Sequence, residues 1–151
     1  MPLAMQKLLF LVAGLYDLLI GLVFLFFGAA LLDWAGIPQP NHMGYLQFAA
    51  LQLLIFGAMF LAVSRDPIGQ RNLIPYGMLL KVSYVGLSSF YWVLGECPLL
   101  FQPFAVIDAV MLVLFWLAYT GSQPNAVDRA VYVANESSAP SNWYAYTLRD
   151  L

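Results

Sequence analysis

The sequence predicts an all-α polytopic membrane protein, with four transmembrane helices in an up-down-up-down bundle and both termini cytoplasmic. Three observations predict it. Hydrophobic residues fill 62% of the 151 positions and charged residues only 9%, and the mean hydropathy of +0.78 lies outside the range of soluble domains. Four apolar runs, about 8–32, 44–63, 73–94 and 100–120, each approach the ~20 residues needed to cross a bilayer. The positive charges outside the spans all fall on one side.

The first run, LLFLVAGLYDLLIGLVFLFFGAALL, follows Lys7 and is too long for a signal-peptide core, so it is expected to be an uncleaved anchor. The connections DWAGIPQPNHM, SRDPIGQRN and GECPLLFQP are short and carry Pro and Gly, so sequential helices should pack antiparallel. Lys7, Arg65, Arg71, Arg129 and Arg149 lie before the first span, in the second loop or after the fourth span, whereas the first and third loops hold only Asp33 and Glu96. The positive-inside tendency therefore places both termini in the cytoplasm. Residues 1–120 form the transmembrane domain. Residues 121–151 read as a polar cytoplasmic tail rich in Ser and Asn, in which NWYAY offers Trp143, Tyr144 and Tyr146 as anchors for a partner or the lipid interface, or as residues that fold back on the loops.

Several function classes are excluded or weakened by counts alone. A net charge of -2 and six Lys and Arg leave no basic surface for nucleic acid. One cysteine, Cys97, and one histidine, His42, rule out an intrachain disulfide, a C-x-x-C redox pair and a multi-histidine metal cluster. No metal site and no cofactor is predicted. His42 reads as an interfacial residue, with a single axial ligand to a pigment or haem as the sharper alternative. The aromatic runs FLFF (24–27) and SFYW (89–92) fit an interfacial belt, or else the wall of a quinone, pigment or lipid pocket.

Three ionisable residues lie inside the spans: Asp17, Lys81 and Asp108. Each costs about 2.5 to 3.5 kcal/mol at a helix centre, so each needs a partner or a task. At ~1.5 Å per residue, Asp17 and Lys81 both lie about 15 Å from the cytoplasmic boundary, and Asp108 and Gln52 about 18 to 20 Å from it. One polar side chain from each helix thus converges near the midplane. Gly14, Gly21 and Gly28 recur every seven residues on the face of Asp17, where another helix can approach closely. Gly77, Lys81, Tyr84 and Ser88 share a face of the third helix. With one Lys against two Asp the layer carries -1, which predicts one proton held on, or shared between, the carboxylates. The layer is either a proton-binding site or a static bridge, completed by Gln52, Tyr84 and Ser88, that sets helix order. Tyr16 and Tyr84 flank it, and RDP (65–67) with Arg71 reads as a cytoplasmic cap on the second and third helices. FAALQLLIFGAMFLA (48–62) and FAVIDAVMLVLFWLA (104–118) align without gaps, hinting at a parallel two-plus-two repeat.

In GLVFLFFGAALL (21–32), the Pro-containing loop after it and LQLLIFGAMFLAV (51–63), the chain resembles the DoxX-like family of small four-helix bacterial membrane proteins. The resemblance covers about the first 65 residues. It implies a bacterial plasma (inner) membrane protein of a group some of whose members are associated with quinone-linked sulfur oxidation or redox homeostasis. It supplies no catalytic residue, and Gln52 stands where family members often carry an acid. With no nucleophile–base pair in view, the leading expectation is a non-catalytic subunit of a larger membrane complex or homo-oligomer. A small proton- or solute-coupled transporter using Asp17, Lys81 and Asp108 is the alternative, and a quinone- or lipid-binding protein of DoxX-like type the further one.

Overall fold

Four helices form most of the backbone in the computed structural model, which describes residues 1–121: α1 (Leu3–Trp34), α2 (Gly44–Arg65), α3 (Ile74–Val93) and α4 (Gln102–Gly121), with one 3-10 turn at Arg71–Leu73. No strand occurs among the described residues. The expectation for NWYAY, with Trp143, Tyr144 and Tyr146, lies outside them. α1, α2 and α4 are long and apolar enough to cross a membrane. α3 is equally long but less apolar, because Lys81, Ser83, Ser88, Ser89 and its tyrosines sit within it. At 32 residues α1 is also longer than the expected 8–32 run, reaching ~48 Å against a hydrocarbon core of ~30 Å.

Local chemistry explains where the helices stop. α1 and α3 both end in a glycine with positive φ, Gly36 at 67° and Gly95 at 75°. After α1, the Gly36 and Ile37 amides donate to the Asp33 and Leu32 carbonyls. After α3, the Gly95 and Glu96 amides donate to those of Trp92 and Tyr91. This double bond pattern closes a helix end where only glycine turns left-handed without strain. Pro75 occupies the first turn of α3, where a missing amide hydrogen costs nothing.

Burial follows lipid logic rather than water logic. The buried face of α1 comprises Gln6, Phe10, Ala13, Gly14, Asp17, Gly21, Phe24, Gly28 and Leu32, while Leu15, Leu19, Leu22, Phe26 and Phe27 point outward. Small and polar residues therefore face protein, and large apolar ones face what surrounds it. Gly14 lies against Gly57 and Leu61, Gly21 against Ala50 and Leu54, and Gly28 against Leu46. As the α1 numbers rise the α2 numbers fall, so this tight pair is antiparallel. α3 and α4 form a second antiparallel pair, with contacts running from Arg71 and Tyr119 through Lys81 and Asp108 to Tyr84 and Phe101.

The two pairs meet closely at the end that carries the α2–α3 loop. There Phe10, Phe60 and Phe115 form an aromatic cluster, with ring centroids 4.9 Å apart for Phe10–Phe115 and 5.0 Å for Phe60–Phe115. Ala13, Val63, Ile74, Met111 and Ala118 surround it. Gly77 leaves the space that the Phe60 ring fills. Such a dry, interdigitated cluster has no room for a ligand. The other half of the molecule is packed differently.

Candidate functional site

Where the aromatic cluster ends, Lys81 bridges the two pairs. Its Nζ is 2.8 Å from Asp17 Oδ1, in a hydrogen bond, and 2.9 Å from Asp108 Oδ1. The ammonium also stands 5.4 Å from the centre of the Tyr16 ring and 5.9 Å from that of Phe60. Asp17 is placed by the glycine face of α1, one turn after Gly14 and one before Gly21. Lys81 follows Gly77 by one turn on the face of α3 where the Phe60 ring packs. The structure thus unites the three ionisable residues buried within the helices into one ion cluster.

The cluster is unbalanced in charge and incompletely bonded. Two carboxylates face one ammonium. Asp17 Oδ2, Asp108 Oδ1 and the Tyr16 hydroxyl are buried without a hydrogen-bond partner. Asp108 Oδ1 is close enough to Nζ for an ion contact but not aligned as an acceptor. Unbonded buried oxygens are costly, ~1–3 kcal/mol each and more when charged.

Beside the cluster lies a cavity of about 380 Å³, bounded by residues of all four helices. It occupies the half of the bundle that carries the α1–α2 and α3–α4 loops. Its walls are apolar: Phe24 on α1, Leu46, Ala49 and Leu53 on α2, Phe101 before α4 and Phe104 on it. Tyr16, Asp17, Tyr84 and Asp108 contribute its polar end, with Gln52 beside them. Phe24 and Phe101 stack at 6.2 Å between ring centres, joining the pairs across the rim. The Tyr84 hydroxyl donates to the Phe101 carbonyl at 3.2 Å. The side chain of Asp108 is 9% exposed against 1% for Asp17 and Lys81, so Asp108 is the ion that the cavity reaches. A concave apolar chamber with a few convergent polar groups is the usual form of a small-molecule site.

Other expected residues fall in different places. Gln52 shares the level of the cluster but lies on the α2 wall, half-buried, with its amide pointing to no member of the cluster among the described hydrogen bonds. Gln52 lines the same cavity as Asp17 and Asp108 from the helix that packs on α1. Ser88 is buried on α3, one turn beyond Tyr84. His42 is exposed and accepts the Gly44 amide at Nδ1. Of FLFF, Phe24 faces the cavity while Phe26 and Phe27 face outward, and SFYW is exposed throughout. Arg71 does not cap α2 or α3. Its Nε and Nη2 both donate to the Tyr119 carbonyl, at 3.3 and 2.9 Å, and its guanidinium lies 4.0 Å over the Tyr119 ring. A cation bonded to a carbonyl in the last described turn of α4 is favoured by the direction of that helix's dipole. Asp66 accepts the Gly69 amide, shaping the loop itself.

Of the apolar walls, Phe24 belongs to the FLFF run read as a candidate pocket wall, whereas those on α2 and α4, Leu46, Ala49, Leu53 and Phe104, were not anticipated. No family model, curated protein or solved structure matches the chain.

Proposed function

We propose that the protein is an integral membrane protein of four spans that binds an amphipathic small molecule. α3 is included as a span, the α2–α3 loop and both termini are assigned to the cytoplasm, and the cavity therefore opens in the outer half of the bilayer. The single observation that supports the reading is the cavity of about 380 Å³ ending on the Asp17–Lys81–Asp108 cluster. An apolar body would lie among Phe24, Leu53, Phe101 and Phe104, with a polar head at Asp108 and Tyr16.

A purely structural role accounts for the site less well. If the cluster served only to order four helices, closing the adjacent void would gain packing and cost nothing. The accessory-subunit expectation therefore ranks second. The resemblance of the first 65 residues to DoxX-like proteins agrees with a membrane-embedded ligand but does not identify one.

The test is what the protein holds when gently isolated. Native mass spectrometry of the detergent-solubilised chain should find one small amphipathic molecule per chain, and Ala49→Trp, which fills the cavity from its α2 wall, should release it. Preparations of wild type and Ala49→Trp with the same bound mass would count against the reading.

A further inference from the structure

The cavity ends on a charge that is not balanced. With Lys81 and both aspartates ionised the cluster carries -1, and among the described residues no Lys or Arg side chain lines the chamber. In a low-dielectric site such an excess is relieved either by a proton on one carboxylate or by a second cation. The unsatisfied atoms point to the same need. Asp17 Oδ2 accepts no hydrogen bond, Asp108 Oδ1 meets only the Lys81 ammonium at 2.9 Å, both residues border the cavity, and Asp17 is 1% exposed. The two carboxylates thus have acceptor capacity that one ammonium does not fill. The third unpartnered group, the Tyr16 hydroxyl, can accept as well as donate. Aromatic side chains, Tyr16, Phe24, Tyr84 and Phe104 among them, border the same chamber, and the face of an aromatic ring attracts a cation.

Resting on the ligand-binding reading above, we infer that the cavity takes a lipophilic ammonium ion, an amine of modest size whose N–H groups bond the free carboxylate oxygens of Asp108 and Asp17 while its hydrocarbon part fills the aromatic chamber. A carboxylate ligand is repelled by the net charge. A neutral ligand with only acceptors leaves the carboxylate oxygens unbonded. A monocation brings the cluster to neutrality and supplies donors at one stroke. Asp108, the more accessible carboxylate, makes the direct contact. Asp17 holds Lys81 in place and receives the second bond.

The probes are 4-phenylbutylammonium and the neutral 4-phenylbutanol, similar in length and shape, measured by equilibrium binding to the full chain in phosphatidylcholine nanodiscs. Saturable binding of the ammonium, about tenfold or more tighter than the alcohol, is expected from a desolvated charge pair. Asp108→Asn makes the cluster neutral and should shrink the preference to about threefold or less. Should Asp108→Asn fail to fold, Ala49→Trp serves in its place. Loss of ammonium binding there supports the assignment, and unchanged binding overturns it. Equal or tighter binding of the alcohol to the wild type overturns the cation assignment while leaving a functional cavity. Absence of saturable binding by both probes overturns the cavity reading as well.

Discussion

At the scale of single residues, Lys81 is the side chain on which most depends. It is fully buried, bonds a carboxylate on α1, contacts another on α4 and faces the Tyr16 and Phe60 rings. Truncation to Met leaves two aspartates facing each other without a cation, a change that costs ~3–5 kcal/mol in buried ion pairs. Lys81→Met should therefore lower the thermal unfolding midpoint in detergent clearly. Adding Asp17→Asn and Asp108→Asn to it should recover most of the loss, because the uncompensated charges go with the ammonium. A Lys81→Met protein as stable as wild type would mean that Lys81 is not what holds the carboxylates. These three residues were legible in the sequence for an energetic reason: a charge in an apolar run must have a partner, and helical rise alone put them at one level. Gln52 shared the level but not the cluster, because depth along a helix says nothing of its distance across the bundle. The true partner of Arg71 was hidden for the same reason, as Tyr119 is 48 residues away in the chain.

At the scale of helices, the glycines spaced by seven residues on α1 lie along the α1–α2 interface. A Cβ on Gly14 would stand 2.9 Å from the Gly57 carbonyl oxygen, and one on Gly21 2.9 Å from that of Ala50. Backbone atoms cannot step aside as a side chain can. Gly14→Leu should separate the pair and destabilise the protein by ~1–3 kcal/mol or more. Gly86→Ala, on α3 with nothing within 4 Å of the added carbon, should leave stability unchanged or slightly improved. Unfolding curves of both variants in one detergent decide the matter: equal curves would remove the glycine contact as the basis of pairing. The helix ends were less legible than the helices, since α1 extends beyond the apolar run and the closing turns at Gly36 and Gly95 depend on backbone angles rather than on hydropathy.

For the whole molecule, the bundle was legible and the chamber was not. Apolar runs and short loops imply antiparallel helices, but a cavity depends on how far one pair of helices stands from another, which the Phe10–Phe60–Phe115 cluster sets at one end and the Phe24–Phe101 contact at the other. The placement of that chamber in the outer half of the bilayer rests in turn on α3 crossing the membrane despite its modest hydropathy. Twenty residues at ~1.5 Å each span ~30 Å, enough for the hydrocarbon core. The cost of Lys81 is offset by its two carboxylates, and the serines and tyrosines of α3 include Tyr84, which bonds within the protein. If α3 spans, the α2–α3 and α3–α4 loops lie on opposite sides. The lone Cys97 sits half-buried in the second of these loops, and Gln70 is exposed in the first. A membrane-impermeant maleimide added to intact cells should label native Cys97. In a Cys97→Ser background, Gln70→Cys should react only after the membrane is permeabilised. Labelling of both sites from outside would put the two loops on one side and remove α3 from the set of spans. Labelling of the Gln70 site alone would keep four spans and invert the molecule, turning the chamber toward the cytoplasm.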